Sequence, residues 1–247
     1  MRPVFWVARL AGMKVIADPE VRTKLSLLTR SRWFRPPFDG MKMAGFMYDA
    51  SDSYRLAFVV LACGPAGAGP AGAATIGEAA PAFTLTDLAG ESHSLADYEG
   101  KTVVLEWVNP ECPFSDRHAR EKTMTELAAR HGEVVWLGIN STSPEHGDFL
   151  EPAEHAEWTE ENGISYPILY DRDGSVGHAY GAKTTPHMFI IDPSGTLVYD
   201  GAIDDDPPGR KAQAERVSYV DGGLVALASN QAVDPATTKP YGCNVKY

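Results

Sequence analysis

Thr102-Val-Val-Leu-Glu-Trp-Val108 is a near-continuous apolar run, and Asn109-Pro-Glu-Cys-Pro113 follows it directly. A run of this kind suits a strand buried on both faces, which requires a mainly parallel sheet covered by helices. Residues 114–131 then carry helical spacing. The chain therefore sets a thiol, Cys112, at a strand-to-helix corner, on the first turn of a helix. Pro113 suits the first helical position, where a missing N–H costs nothing. Helix N-termini stabilise negative charge through free N–H groups and the helix dipole. A cysteine so placed has its pKa lowered from about 8.5 toward about 3.5–7.5 and is a thiolate near neutral pH. The corner points to redox or nucleophilic chemistry rather than to a buried structural cysteine.

The remaining pattern extends the same architecture. Residues 81–86 alternate as an edge strand would, Asp87-Leu-Ala-Gly90 is a turn, and residues 94–98 form a short helical turn. Residues 133–139 read as a second buried strand, residues 152–162 as a helix stopped by Gly163, and residues 166–170 as a short strand. A short helix over 175–180 precedes a hairpin of 188–191 and 196–199 around Asp192-Pro-Ser-Gly195. The spacing predicts one long helix over 209–229 and a tail over 230–247. Strands alternating with helices define an α/β fold with a central mixed sheet flanked by helices.

Charge divides the chain. Of its 247 residues, 1–62 carry ten Lys and Arg against five Asp and Glu, whereas 63–247 carry twelve against twenty-eight. An acidic body argues against nucleic acid as a partner. Residues 1–54 read as a basic N-terminal extension, and translation from Met41, Met43 or Met47 would leave most of it out. Residues 55–75 hold the apolar run Leu56-Ala-Phe-Val-Val-Leu-Ala62 after Arg55, followed by small residues, the layout of an export signal. The run is too short for a bilayer, which takes about 20 residues. Val60-Leu-Ala-Cys63 also has the form of a lipobox, which would make Cys63 a lipid anchor. Export to the periplasm or the outside is the expected location, with the cytoplasm as the alternative.

Five residues join Cys112 as candidates. Ser115 stands three residues on, where a Cys-x-x-Cys pair would hold its second thiol, and its hydroxyl is able to hydrogen-bond the thiolate. Glu106 is a carboxylate inside a strand that should be buried, so its pKa should be raised and it could shuttle protons for the thiol. Thr185-Pro186 precedes a strand and is a candidate cis bond, although only about 5–6% of such bonds are cis. Cys243, beside Gly242 in the tail, could swing to resolve an oxidised Cys112 as a disulfide. The three cysteines, Cys63, Cys112 and Cys243, match no zinc signature, and the histidines have no metal spacing. His118 lies nearly two helical turns beyond Cys112, too far for contact with the thiolate, whereas His187 follows the candidate cis-proline.

Residues 76–205 resemble the thioredoxin-like superfamily, in its peroxiredoxin-like branch (alkyl hydroperoxide reductase/thiol-specific antioxidant, or redoxin). The matching pieces are Ala80-Pro-Ala-Phe-Thr-Leu-Thr-Asp-Leu-Ala-Gly90, Val103-Val-Leu-Glu-Trp-Val-Asn-Pro-Glu-Cys-Pro-Phe114 and Tyr180-Gly-Ala-Lys-Thr-Thr-Pro-His-Met-Phe-Ile-Ile-Asp-Pro-Ser-Gly195. The resemblance implies a thioredoxin-like fold over residues 76–229, Cys112 as nucleophile, Thr185-Pro186 as the cis-proline turn facing it, and Glu106 as the buried acid. It implies a cofactor-free, thiol-dependent oxidoreductase that reduces peroxides or exchanges disulfides and draws electrons from a thiol donor. Two departures stand out. Thioredoxins carry a cysteine where this chain has Ser115. Peroxiredoxins carry Pro-x-x-x-Thr-x-x-Cys, whereas here Leu105 and Asn109 stand at the proline and threonine positions. Two other classes fit the same fold: a copper carrier using Cys112 and His187, and a non-catalytic interaction module.

Overall fold

The structure is a computed structural model that describes residues 73–247, together with the strands Phe46–Met47 and Ala57–Phe58, which pair antiparallel. The remainder of the basic extension and of the signal-like segment, Cys63 included, lies outside the described residues. Residues Met1–Ala68 and Gly69–Tyr247 form separate compact units, and the second carries every element labelled below.

In chain order that unit comprises β1 (Thr84–Asp87), β2 (Ser92–Ser94), β3 (Val103–Trp107), α1 (Pro113–Arg120), α2 (Thr123–Arg130), β4 (Val135–Asn140), α3 (Pro152–Asn162), β5 (Ile168–Tyr170), α4 (Ser175–Tyr180), β6 (Thr184–Thr185), β7 (His187–Ile191), β8 (Leu197–Gly201), α5 (Tyr219–Ala228) and β9 (Cys243–Asn244). Seven strands form one sheet in the order β8-β7-β3-β4-β5-β1-β2, and β6 and β9 form a separate two-stranded pair. β3, β4 and β5 run parallel, and the strands outside them are antiparallel.

The apolar run behaves as its composition requires. All five residues of β3 are buried, and their alternation feeds two cores. Val103, Leu105 and Trp107 pack with Leu137, Ile139, Tyr180 and Phe189 on one face. Val104 packs with Met124, Trp136, Ile190 and Leu224 on the other. Each such side chain contributes about 1.5–3 kcal/mol when fully buried. Glu106 follows Val104 in the alternation, so its carboxyl faces the second layer.

Three expectations are corrected. Residues 114–131 form two helices, because Lys122 adopts a left-handed conformation with φ 56° between α1 and α2. The long helix expected over 209–229 is only α5. The stretch before it is a loop in which Asp206 accepts the N–H groups of Arg210 and Lys211 and Asp205 that of Val217. Residues 84–87 pair on both sides, and β2 is the edge strand.

Candidate active site

Val108 extends the β3–β4 ladder by donating to Ile139 O at 2.9 Å, and a tight turn follows. Cys112 N–H closes that turn on Asn109 O at 3.0 Å, and Asn109 Oδ1 accepts Glu111 N–H at 2.8 Å. The Asn109 amide also donates to Thr142 Oγ1 at 2.9 Å, tying the turn to the end of β4. Cys112 then caps α1 with extended backbone, φ −87° and ψ 118°, and Pro113 occupies the first helical turn. The thiol thus stands at the end of β3 and the start of α1, with only 2% of the residue exposed.

The Thr185–Pro186 bond is cis, and the turn it belongs to meets Cys112: Sγ donates to Thr185 O at 2.8 Å. β9 lies antiparallel to β6, with Cys243 opposite Thr185 and Asn244 opposite Thr184. Gly242 makes this approach workable. Its φ is +140°, and a Cβ there would run into the Thr185 carbonyl. Burial alone would push the Cys112 thiol up. Hydrogen bonds from the Cys243 side chain, the Thr185 side chain and the N–H groups of Ser115 and Cys243 outweigh that and hold it below the ordinary thiol value. The Thr185 carbonyl favours the neutral thiol, so those four donors decide the balance. Cys243 moves oppositely: burial, then its hydrogen bond to Cys112, raises it to about 11. The two thiols are shifted apart, Cys112 toward the more acidic and Cys243 toward the less acidic.

Ser115 differs from expectation. Its backbone N–H, not its hydroxyl, serves Cys112, and its buried Oγ finds no hydrogen-bond partner among the described residues. Cys243 is not on a swinging tail either. Tyr241 OH bonds Asp204 and lies 3.0 Å from His118 Nε2, Val245 N–H donates to Lys183 O at 3.1 Å, and Ser143 N–H to Lys246 O at 2.6 Å. Tyr247 stacks on His178 with centroids 4.0 Å apart and donates to Ala182 O at 2.9 Å.

Glu106 is brought to a different place. Tyr166 OH donates to its Oε2 at 2.8 Å, yet burial prevails and raises the carboxyl to about 7. It lines a cavity of about 10 Å³ with His118, Met124, Trp158 and Tyr166, room for about one water. No hydrogen bond among the described residues joins Glu106 to Cys112. His118 is held neutral, lowered to about 4 by burial and then by Arg117. His187 is fully engaged: Nδ1 accepts Lys183 N–H at 3.1 Å, which leaves Nε2–H for Asp200 at 2.6 Å. Neither nitrogen is free to join Cys112 on copper, which removes the geometric basis of the carrier reading. The one triad of closely spaced candidate metal ligands among the described residues is Asp87, Glu91 and His93.

Tyr166 and Tyr241 carry no local signal in the sequence, and Asn109 stood out there only as a departure from the peroxiredoxin threonine. Asn109 was discernible as a turn-forming residue before proline; the two tyrosines act through partners remote in the chain.

A thiolate-favouring cysteine capping a helix at the end of a central strand, opposite a cis-proline turn, defines the thioredoxin-like class. The AhpC/TSA family model matches residues 76–200, and the chain belongs to that family. It is 33% identical over 124 residues to the thiol-disulfide oxidoreductase ResA of Geobacillus thermodenitrificans, across 49% of this chain and 66% of that protein. It is 29% identical over 134 residues to a protein of Mycobacterium tuberculosis named as a peroxiredoxin, across 53% of this chain and 80% of that one. The chain spans just under two thirds of the length of the ResA proteins of Geobacillus thermodenitrificans and Geobacillus kaustophilus. Among solved structures, an uncharacterized conserved protein from Geobacillus kaustophilus matches with a TM-score of 0.63 and 28% identity, over 70% of this chain and 92% of that one. A protein from Sinorhizobium meliloti 1021 matches with a TM-score of 0.62 and 25% identity, over 70% of this chain and 94% of that one.

Proposed function

We propose that the protein is a thiol-dependent oxidoreductase whose redox couple is Cys112 and Cys243. The observation that carries this reading is the placement of the pair: Cys112 Sγ donates to Thr185 O, Cys243 lies opposite Thr185 in the β6–β9 pairing, and the two thiols are shifted in opposite directions. With a hydroperoxide, the Cys112 thiolate attacks one oxygen, the O–O bond breaks, and the departing alkoxide or hydroxide takes a proton. Cys112 becomes a sulfenic acid. Cys243 then attacks that sulfur, water leaves, and a 112–243 disulfide remains. With a disulfide, Cys112 forms a mixed disulfide and releases one thiolate; attack by Cys243 releases the other and gives the same product. An external thiol donor returns both cysteines to the reduced state. Glu106, half-protonated near pH 7, exchanges its proton with water in the cavity it shares with His118.

The non-catalytic reading is disfavoured by the lowered Cys112 thiol, since a module with no chemistry has no need of four donors on one sulfur. Export fits the signal-like residues 55–75, and no helix among the described residues is long and apolar enough to cross a membrane. Non-reducing mass mapping after one equivalent of hydrogen peroxide tests the couple. A 112–243 linkage is expected. Accumulation of overoxidised Cys112 with Cys243 still free would refute it, and full peroxide or disulfide turnover by Cys112→Ser would refute the role of Cys112.

A further inference from the structure

An extended polypeptide brings a disulfide to a buried sulfur most readily by adding as a strand beside it, since main-chain hydrogen bonds then fix its register. Beside Cys112 the backbone available for such pairing is β6, Thr184–Thr185, and β9 of the same chain already pairs with it. The pairing places Cys243 opposite Thr185, within hydrogen-bonding reach of Cys112, where the sulfur of a bound peptide would have to lie. The flanks are fastened. Tyr241 is bonded to Asp204 and to Arg117 of α1, at 3.3 Å for the latter. Beyond β9, Val245 and Lys246 bond to Lys183 and Ser143, and the Tyr247 ring covers Gly174 and Gly177. A Cβ on either glycine would strike that ring.

We propose that the segment 241–247 is the specificity determinant of this site: it occupies the polypeptide-binding edge, so that Cys112 takes small oxidants, hydroperoxides and small disulfides, and excludes polypeptide disulfides while the segment is seated. The proposal rests on Cys112 being the nucleophile and settles which oxidant class it meets. A small oxidant needs only a path to one sulfur. A peptide needs the edge of β6, and must first displace Cys243, the group that completes the reaction.

Two probes with a common leaving group separate size from chemistry. One is dithionitrobenzoic acid, a small disulfide. The other is a ten-residue peptide whose central cysteine is joined to thionitrobenzoate. In both, attack by Cys112 breaks the S–S bond and releases the coloured aryl thiolate with the bonding electron pair. The full chain should react with the small probe faster than with the peptide by more than about tenfold, beyond the difference shown by free cysteine. Tyr247→Ala, which frees the end of the segment, and Gly242→Val, which drives it from Thr185, should each narrow that ratio by about tenfold. Equal reactivity of the full chain toward both probes, or a ratio unchanged in both variants, would overturn the proposal. Failure of Cys112 to react with either probe or with hydrogen peroxide would instead remove the nucleophile on which it rests.

Discussion

Glu106 carries its carboxyl inside the second layer with a single hydrogen-bond donor, Tyr166, and burial sets its value at about 7. The consequence for stability has a definite sign. The folded protein binds this proton up to about pH 7, whereas the unfolded chain releases it near 4.5. Between those limits the folded state holds more protons, so stability falls as pH rises and levels off above about 7, by about 3 kcal/mol in total. Glu106→Gln removes that loss. Its melting temperature should exceed that of the wild type at pH 8 and converge with it below about pH 4. Cys243 governs the other titration. Cys243→Ala deletes a side-chain donor to Cys112, so the midpoint of Cys112 alkylation by iodoacetamide should move to higher pH; an unmoved midpoint would mean the helix terminus alone sets it. Asn109 has no titration but spends both side-chain groups on the turn. Asn109→Ala leaves buried Thr142 and the Glu111 N–H short of partners, at a cost of about 1–3 kcal/mol in chemical unfolding.

At the level of elements, the strand–corner–helix unit was legible because each of its parts is local. β3 is a run of apolar residues, Pro113 fits the first turn of a helix, and α4 over Ser175–Tyr180 and α3 before Gly163 are bounded as their sequences indicate. What the sequence hid is settled by distant partners. Residues 114–131 contain neither Gly nor Pro, yet the helix breaks at Lys122, beside Glu121, whose carboxylate pairs with Arg216. Residues 209–218 form no more than a single 3-10 turn at Gln213–Glu215, and aspartate side chains take the N–H groups of Arg210, Lys211 and Val217. The docking of β9 depends on Tyr241 and Tyr247 finding partners on α1 and next to α4, and neither partner shows in a period. Lys122 offers a test of the break. A side chain in the left-handed region is strained and glycine is not, so Lys122→Gly should be neutral or stabilise by up to about 1 kcal/mol. A clear loss on thermal unfolding would mean that the lysine side chain holds the junction.

Across the whole molecule, the two candidate redox sulfurs lie at opposite ends of a long stretch of chain, from position 112 to position 243. A bond between them would cross-link most of the folded unit and constrain its unfolded ensemble, by up to about 4–5 kcal/mol in the loop-entropy account. The oxidised protein should therefore unfold at higher denaturant concentration than the reduced protein, with Cys243→Ala showing no such difference. The seating of the last residues has a separate outcome. Proteases cut backbone that has been lifted clear as an extended strand, and residues 241–247 are bonded or wedged along their length. Nicking there has to wait for the segment to lift away from β6, so the cleavage rate of the reduced chain under limited proteolysis counts how often that strand edge comes into the open, without any substrate present.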